Sequence, residues 1–113
     1  AYVDHHVLFV NHCSRAGLNH LSFEVHDVDA VFTNHAHMKS LGKYEHVWGI
    51  GRHLLGSQVY DYWFAPWGIV HERWADSDRL NASDASNLLP PEEAFQSQWG
   101  EGPPQKFLDH VTQ

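Results

Sequence analysis

The chain has 113 residues, 42% hydrophobic and 19% charged, which is apolar material for one small core and too little for two ordinary domains. Seven Lys and Arg against fourteen Asp and Glu give a formal charge of -7, and no segment clusters basic residues, which disfavours a phosphate backbone as partner. A single cysteine, Cys13, excludes an internal disulfide, and no apolar run approaches the ~20 residues of a membrane-spanning helix, so the expectation is a soluble, cytoplasmic chain with no membrane partner.

An apolar run starts almost at Ala1, as expected of a fragment or processed chain. The segment 2–11 (YVDHHVLFVN) reads as a strand, with His6 on the face of Leu8 and Val10 and His5 on the face of Val7 and Phe9. A polar turn follows to Gly17. Segment 18–25 (LNHLSFEV) reads as a second strand, placing His20, Ser22 and Glu24 on one side and Leu21, Phe23 and Val25 on the other. Val31, His35, Met38 and Leu41 recur at helical spacing up to Gly42, which predicts a helix of about three turns capped by Asp29, with Met38 in the core.

Segment 44–51 reads as a short strand or extended loop and 52–57 as a turn carrying His53, while 58–65 (QVYDYWFA) is a strong strand alternating Tyr60, Tyr62 and Phe64 with Val59, Asp61 and Trp63. Pro66-Trp67-Gly68 turns the chain, and 69–74 (IVHERW) returns antiparallel. The order is β-β-α-β-β-β. Beyond Ala75 the composition becomes polar and proline-rich, with one short helix expected at 91–99, where Phe95 and Trp99 give it a packing face.

Eleven histidines stand in the chain, ten of them between His5 and His71. Imidazole ligates metals and exchanges protons near neutral pH, so both chemistries are open. On the last strand Glu72 shares a face with Val70 and Trp74. A carboxylate among apolar neighbours needs a compensating partner, and a metal is one. His20 and Glu72 form the candidate ligand pair; one further histidine would complete a two-histidine, one-carboxylate facial site. A surface glutamate or a buried ion pair explains the same residues.

The segments GLNHLSFEV (17–25) and YEHVWGIGRHLLGSQVYDYWFAPWGIVHERW (44–74) together resemble the C-terminal part of type I extradiol ring-cleaving dioxygenases of the vicinal oxygen chelate superfamily. Similarity runs from about Asp4 to Asp76 and rests on the order NH…EV, GRH, Y and PxGxxxE. It implies an α+β fold in which a βαβββ module, residues 18–78, forms half of a cupped, incomplete barrel. Residues 1–17 would then be the last strand and linker of a preceding module, and 79–113 a C-terminal extension.

The resemblance further implies His20 and Glu72 as metal ligands, His6 as the acid–base histidine, and His53 and Tyr62 as contacts to the ligands or to substrate hydroxyls. The cofactor would be Fe(II), with Mn(II) as the less common choice, and the substrates a catechol and O2. The family's first ligating histidine belongs to a strand before the His5-His6 pair. The third ligand is therefore expected from outside this chain, from a preceding part of the protein or from another chain, unless the chain is a remnant that does not hold iron in the family manner; a homo-oligomer is expected, and the isolated chain is expected to be inactive. Ala65 stands where many relatives carry Asp, a change of turn capping. A metal-independent module binding a small aromatic ligand and a half-site subunit are the alternative readings.

Overall fold

The computed structural model describes residues 1–111. Its elements are β1 (Val3–Asp4), β2 (His20–Glu24), α1 (Val28–Leu41), β3 (His46–His53), β4 (Val59–Phe64), a 3-10 turn (Pro66–Gly68), β5 (Val70–Ala75), β6 (Arg79–Leu80), a second 3-10 turn (Pro91–Phe95), β7 (Ser97–Trp99) and α2 (Gln105–Leu108). Five strands form one open sheet in the order β2-β5-β4-β3-β7, with β2 parallel to β5 and the other pairs antiparallel. No helix among the described residues is long and apolar enough to cross a membrane.

Alternation along β2, β4 and β5 gives the sheet two different faces. One buries Trp48, Tyr60, Tyr62 and Val70 together with Phe107 from α2. On the other, α1 covers β4 and β5 and buries Val31 against Val59 and Ala75. The α1 cap lies two residues before the expected one: the Asp27 side chain accepts from the Ala30 amide at 2.8 Å, and Asp29 sits in the first turn. The helix ends where Gly42 adopts φ 64° and its N–H bonds the Lys39 carbonyl.

Three further sequence expectations are corrected. The predicted strand over 2–11 shrinks to Val3–Asp4, paired with β6, because among the described residues no strand lies alongside Val7 to Val10; all four side chains are exposed. Residues Arg52 and His53 are not in a turn but end β3, and the corner falls at Gly56 and Ser57, where Arg52 Nη1 donates to the Ser57 carbonyl at 2.6 Å. The expected helix at 91–99 is a 3-10 turn followed by a strand. After Phe95 the chain extends, and β7 pairs with the end of β3 through Arg52↔Trp99 and His53↔Ser97, satisfying backbone groups that would otherwise line a sheet edge.

At residue 65, Ala65 N–H donates to the Ile69 carbonyl at 2.7 Å, and Gly68 N–H to the Ala65 carbonyl at 3.1 Å. Backbone bonds thus close the turn without a side-chain cap.

Candidate active site

One cross-strand row organises the site. Register pairs Ser22 with Glu72, Glu72 with Tyr62 and Tyr62 with Trp48, so four side chains from β2, β5, β4 and β3 stand side by side on the face away from α1. His20 is two residues before Ser22 and therefore on the same face, with Nε2 at 3.6 Å from Glu72 Oε1. His53, at the end of β3, reaches back so that its Nε2 lies 3.0 Å from the Tyr62 hydroxyl and 3.2 Å from Glu72 Oε2. His20, His53, Tyr62 and Glu72 thus converge.

Glu72 is only 5% exposed. Burial by itself would raise its pKa, but the hydrogen bonds and charges of His20 and His53 outweigh burial and hold the carboxyl well below the usual carboxylate range. Tyr62 moves the other way: burial first, then the neighbouring Glu72 charge, keeps its hydroxyl protonated well above the ordinary tyrosine value. A charged carboxylate and a neutral phenol result, one suited to a cation and the other to donating a hydrogen bond to an anionic oxygen.

The aromatic floor fixes these positions. Trp48 stacks on Tyr62 with centroids 5.1 Å apart, and His53 stacks on Tyr60 at 4.0 Å. Tyr60 is anchored in turn by Ser97 of β7, 2.7 Å from its hydroxyl.

His6 lies on an exposed segment, and its Nδ1 is 3.1 Å from His5 Nδ1. Its pKa is lowered, first by partial desolvation and then by His5, with Glu72 opposing and His53 and His20 adding. The last three are the members of the buried group, so His6 sits within electrostatic reach of it.

Two positioning residues escaped the sequence reading. The Asn19 side-chain oxygen accepts from His20 Nδ1 at 2.6 Å, which leaves the other ring nitrogen facing Glu72, while Asn19 Nδ2 donates to the carbonyls of Phe107 and His110 at 3.0 Å each. Ser22 Oγ donates to Glu72 Oε1. Alternation had already put Ser22 on the His20 face and Asn19 opens the NH…EV motif, which were the available signals; the partners through which Asn19 acts lie about 90 positions away and could not be read.

A different trio also meets. On the α1 face, His35, His46 and Asp61 bring ligand atoms within 4.8 Å of one another. The predicted ligands His20 and Glu72 are not among them.

No protein-family model matches the chain. Metapyrocatechase 2 of Cupriavidus necator is 36% identical over 107 residues, 93% of this chain. A crystal structure of catechol 2,3-dioxygenase superposes with TM-score 0.60 at 19% identity, over 82% of this chain and 29% of its own. The chain is a relative of the extradiol dioxygenases. The Mn(II)-bound glyoxalase from Novosphingobium aromaticivorans shares the fold, with TM-score 0.61 and 25% identity over 80% of this chain and 31% of that one. The α+β architecture with an open sheet is that of the glyoxalase and extradiol dioxygenase folds. This chain spans about a third of the length of the curated relative it matches, which covers 33% of that protein.

Proposed function

We propose that the chain supplies part of a non-haem Fe(II) site for extradiol cleavage of a catechol by O2 in the full-length protein or its assembly. The observation that carries this reading is the pairing of His20 with the buried, ionised Glu72 on one sheet face. Their donor atoms are 3.6 Å apart, against about 3 Å for neighbouring ligands each about 2.1 Å from an octahedral ion, so a small side-chain adjustment would seat a metal. Imidazole nitrogen and carboxylate oxygen suit Fe(II), and Mn(II) almost equally. The third protein ligand comes from outside this chain.

Bound iron would supply open positions for the catechol oxygens and O2. The chain's own residues then orient and protonate. The Tyr62 hydroxyl, kept neutral, donates to a catecholate oxygen, and His53, shared between Tyr62 and Glu72, holds that hydroxyl in place. His6, its Nδ1 turned to His5, leaves Nε2 to carry a proton to or from the reacting oxygens. The Trp48 and Tyr60 rings exclude water from beneath.

A second reading, a metal-independent cup for a small aromatic ligand, is favoured by the way Ser22, His20 and His53 satisfy Glu72 without an ion. Anaerobic Fe(II) titration of the full-length protein, followed by catechol and air, separates the two. Stoichiometric iron and a yellow ring-opened product, both lost in Glu72→Ala, are expected; tight binding of the aromatic with no metal would establish the cup instead.

A further inference from the structure

Asp61 stands between Tyr60 and Tyr62 on β4, so its side chain points to the opposite face, beneath α1. It is 1% exposed. His35 of α1 places Nδ1 at 3.0 Å from Asp61 Oδ2, and His46 of β3 places Nε2 at 2.8 Å from Oδ1. The indole of Trp63 donates to Oδ2 at 2.6 Å. We propose that His35, His46 and Asp61 form a second divalent-metal site, for a borderline d-block cation of the Zn(II) class, separate from the His20–Glu72 face.

Three observations point to an ion. The nitrogens of two imidazoles from two different elements converge on one carboxylate, with all three donor atoms inside 4.8 Å. Neighbouring ligands around tetrahedral zinc, each about 2.0–2.1 Å from the ion, lie about 3.3 Å apart; here the 2.8 and 3.0 Å contacts run to the two different carboxylate oxygens, so the rings turn modestly to draw a donor set that lies within 4.8 Å onto one ion. The carboxylate is held by Trp63 N–H at the oxygen shared with His35, an orienting hydrogen bond of the kind that ligating carboxylates carry.

Access and proton balance are both met. The His35 and His46 side chains are 23% and 33% exposed, so an ion enters from solvent past the rings. Neutral imidazoles bind by moving their ring protons to His35 Nε2 and His46 Nδ1 through water, and no other group changes charge. Three protein ligands leave a fourth position for water. Because the ligands come from α1, β3 and β4, the ion would clamp the helix to the sheet.

The test uses the full chain with His20→Ala, which removes a ligand from the other face. Co(II) titration of this protein is expected to give one equivalent with the intense visible absorption of a tetrahedral site. Zn(II) is expected to compete for it and to raise the melting temperature. Adding His46→Gln or His35→Gln, with folding checked by far-UV circular dichroism, is expected to weaken binding at least about 100-fold and to abolish the melting shift. Co(II) binding unchanged by both glutamine variants, or no binding to the His20→Ala protein, would overturn the proposal and leave the trio a hydrogen-bonded brace.

Discussion

Ser22 Oγ donates a 2.5 Å hydrogen bond to Glu72 Oε1 across the parallel pairing of β2 and β5. This joins an edge strand to the buried carboxylate of its neighbour through side chains as well as backbone. Hydrogen bonds to charged groups contribute about 1.5–3 kcal/mol. Ser22→Ala is therefore expected to lower unfolding free energy by roughly that amount, read as a shift of the urea midpoint at constant slope. An unchanged midpoint would mean that water replaces the hydroxyl at no cost.

The Glu72 carboxyl also ties stability to pH. Its folded pKa lies below the usual 4.5, so the unfolded chain takes up the proton first as acid is added. The contribution is complete above pH 4.5 and is lost progressively as pH falls below that value toward the folded pKa. Metal-free protein is expected to lose stability through this window, and Glu72→Gln is expected to show a shallower slope there. Parallel slopes would assign the acid sensitivity to other carboxylates.

Asn19 makes a separable prediction, because it touches His20 on one side and the carbonyls near the C-terminus on the other. Asn19→Ala is expected to weaken metal binding at the His20–Glu72 face about 10–100-fold, as loss of ligand orientation does. Asn19→Asp keeps the acceptor for His20 but loses the donor to Phe107 and His110, so it should retain most of that affinity while losing stability. Equal affinity loss in both variants would show that the C-terminal anchor, not the ring orientation, matters.

Gly51 faces Tyr60, and a Cβ there would overlap the Tyr60 ring and hydroxyl. Gly51→Ala must displace the ring on which His53 stacks. Overpacking of this kind costs about 1–3 kcal/mol. The expected result is a lower melting temperature together with altered catechol binding in the full-length protein; a lower melting temperature with unchanged binding would show that His53 holds its place without the Tyr60 stack.

Much of this architecture was legible where one strand alone carries the information. Alternation grouped His20 with Ser22 on β2, Tyr62 with Tyr60 and Phe64 on β4, and Glu72 with Val70 and Trp74 on β5, and the register of the structure then pairs Ser22 with Glu72 and Glu72 with Tyr62. Elements that depend on a distant partner were not legible. The β7 strand, Ser-Gln-Trp, has no strand pattern of its own and forms because the end of β3 offers unpaired backbone groups. Conversely Val7 to Val10 have a strand's composition but no neighbour among the described residues. Asp61 is instructive in another way: a carboxylate in an apolar strand pointed to Glu72 and applies equally to Asp61, yet its partners His35 and His46 meet only when α1 folds over the sheet.

The segment after β5 looks dispensable in composition, but Phe107 is 2% exposed against Trp48 and Tyr62, and Trp48 Nε1 donates to the Glu101 carbonyl at 2.8 Å. A protein engineer who trimmed the chain to its apparent βαβββ unit would strip the lid from the aromatic floor and release the Asn19 tether in one cut. Any minimal version of this fold has to be drawn around residue 110 rather than around the last long strand.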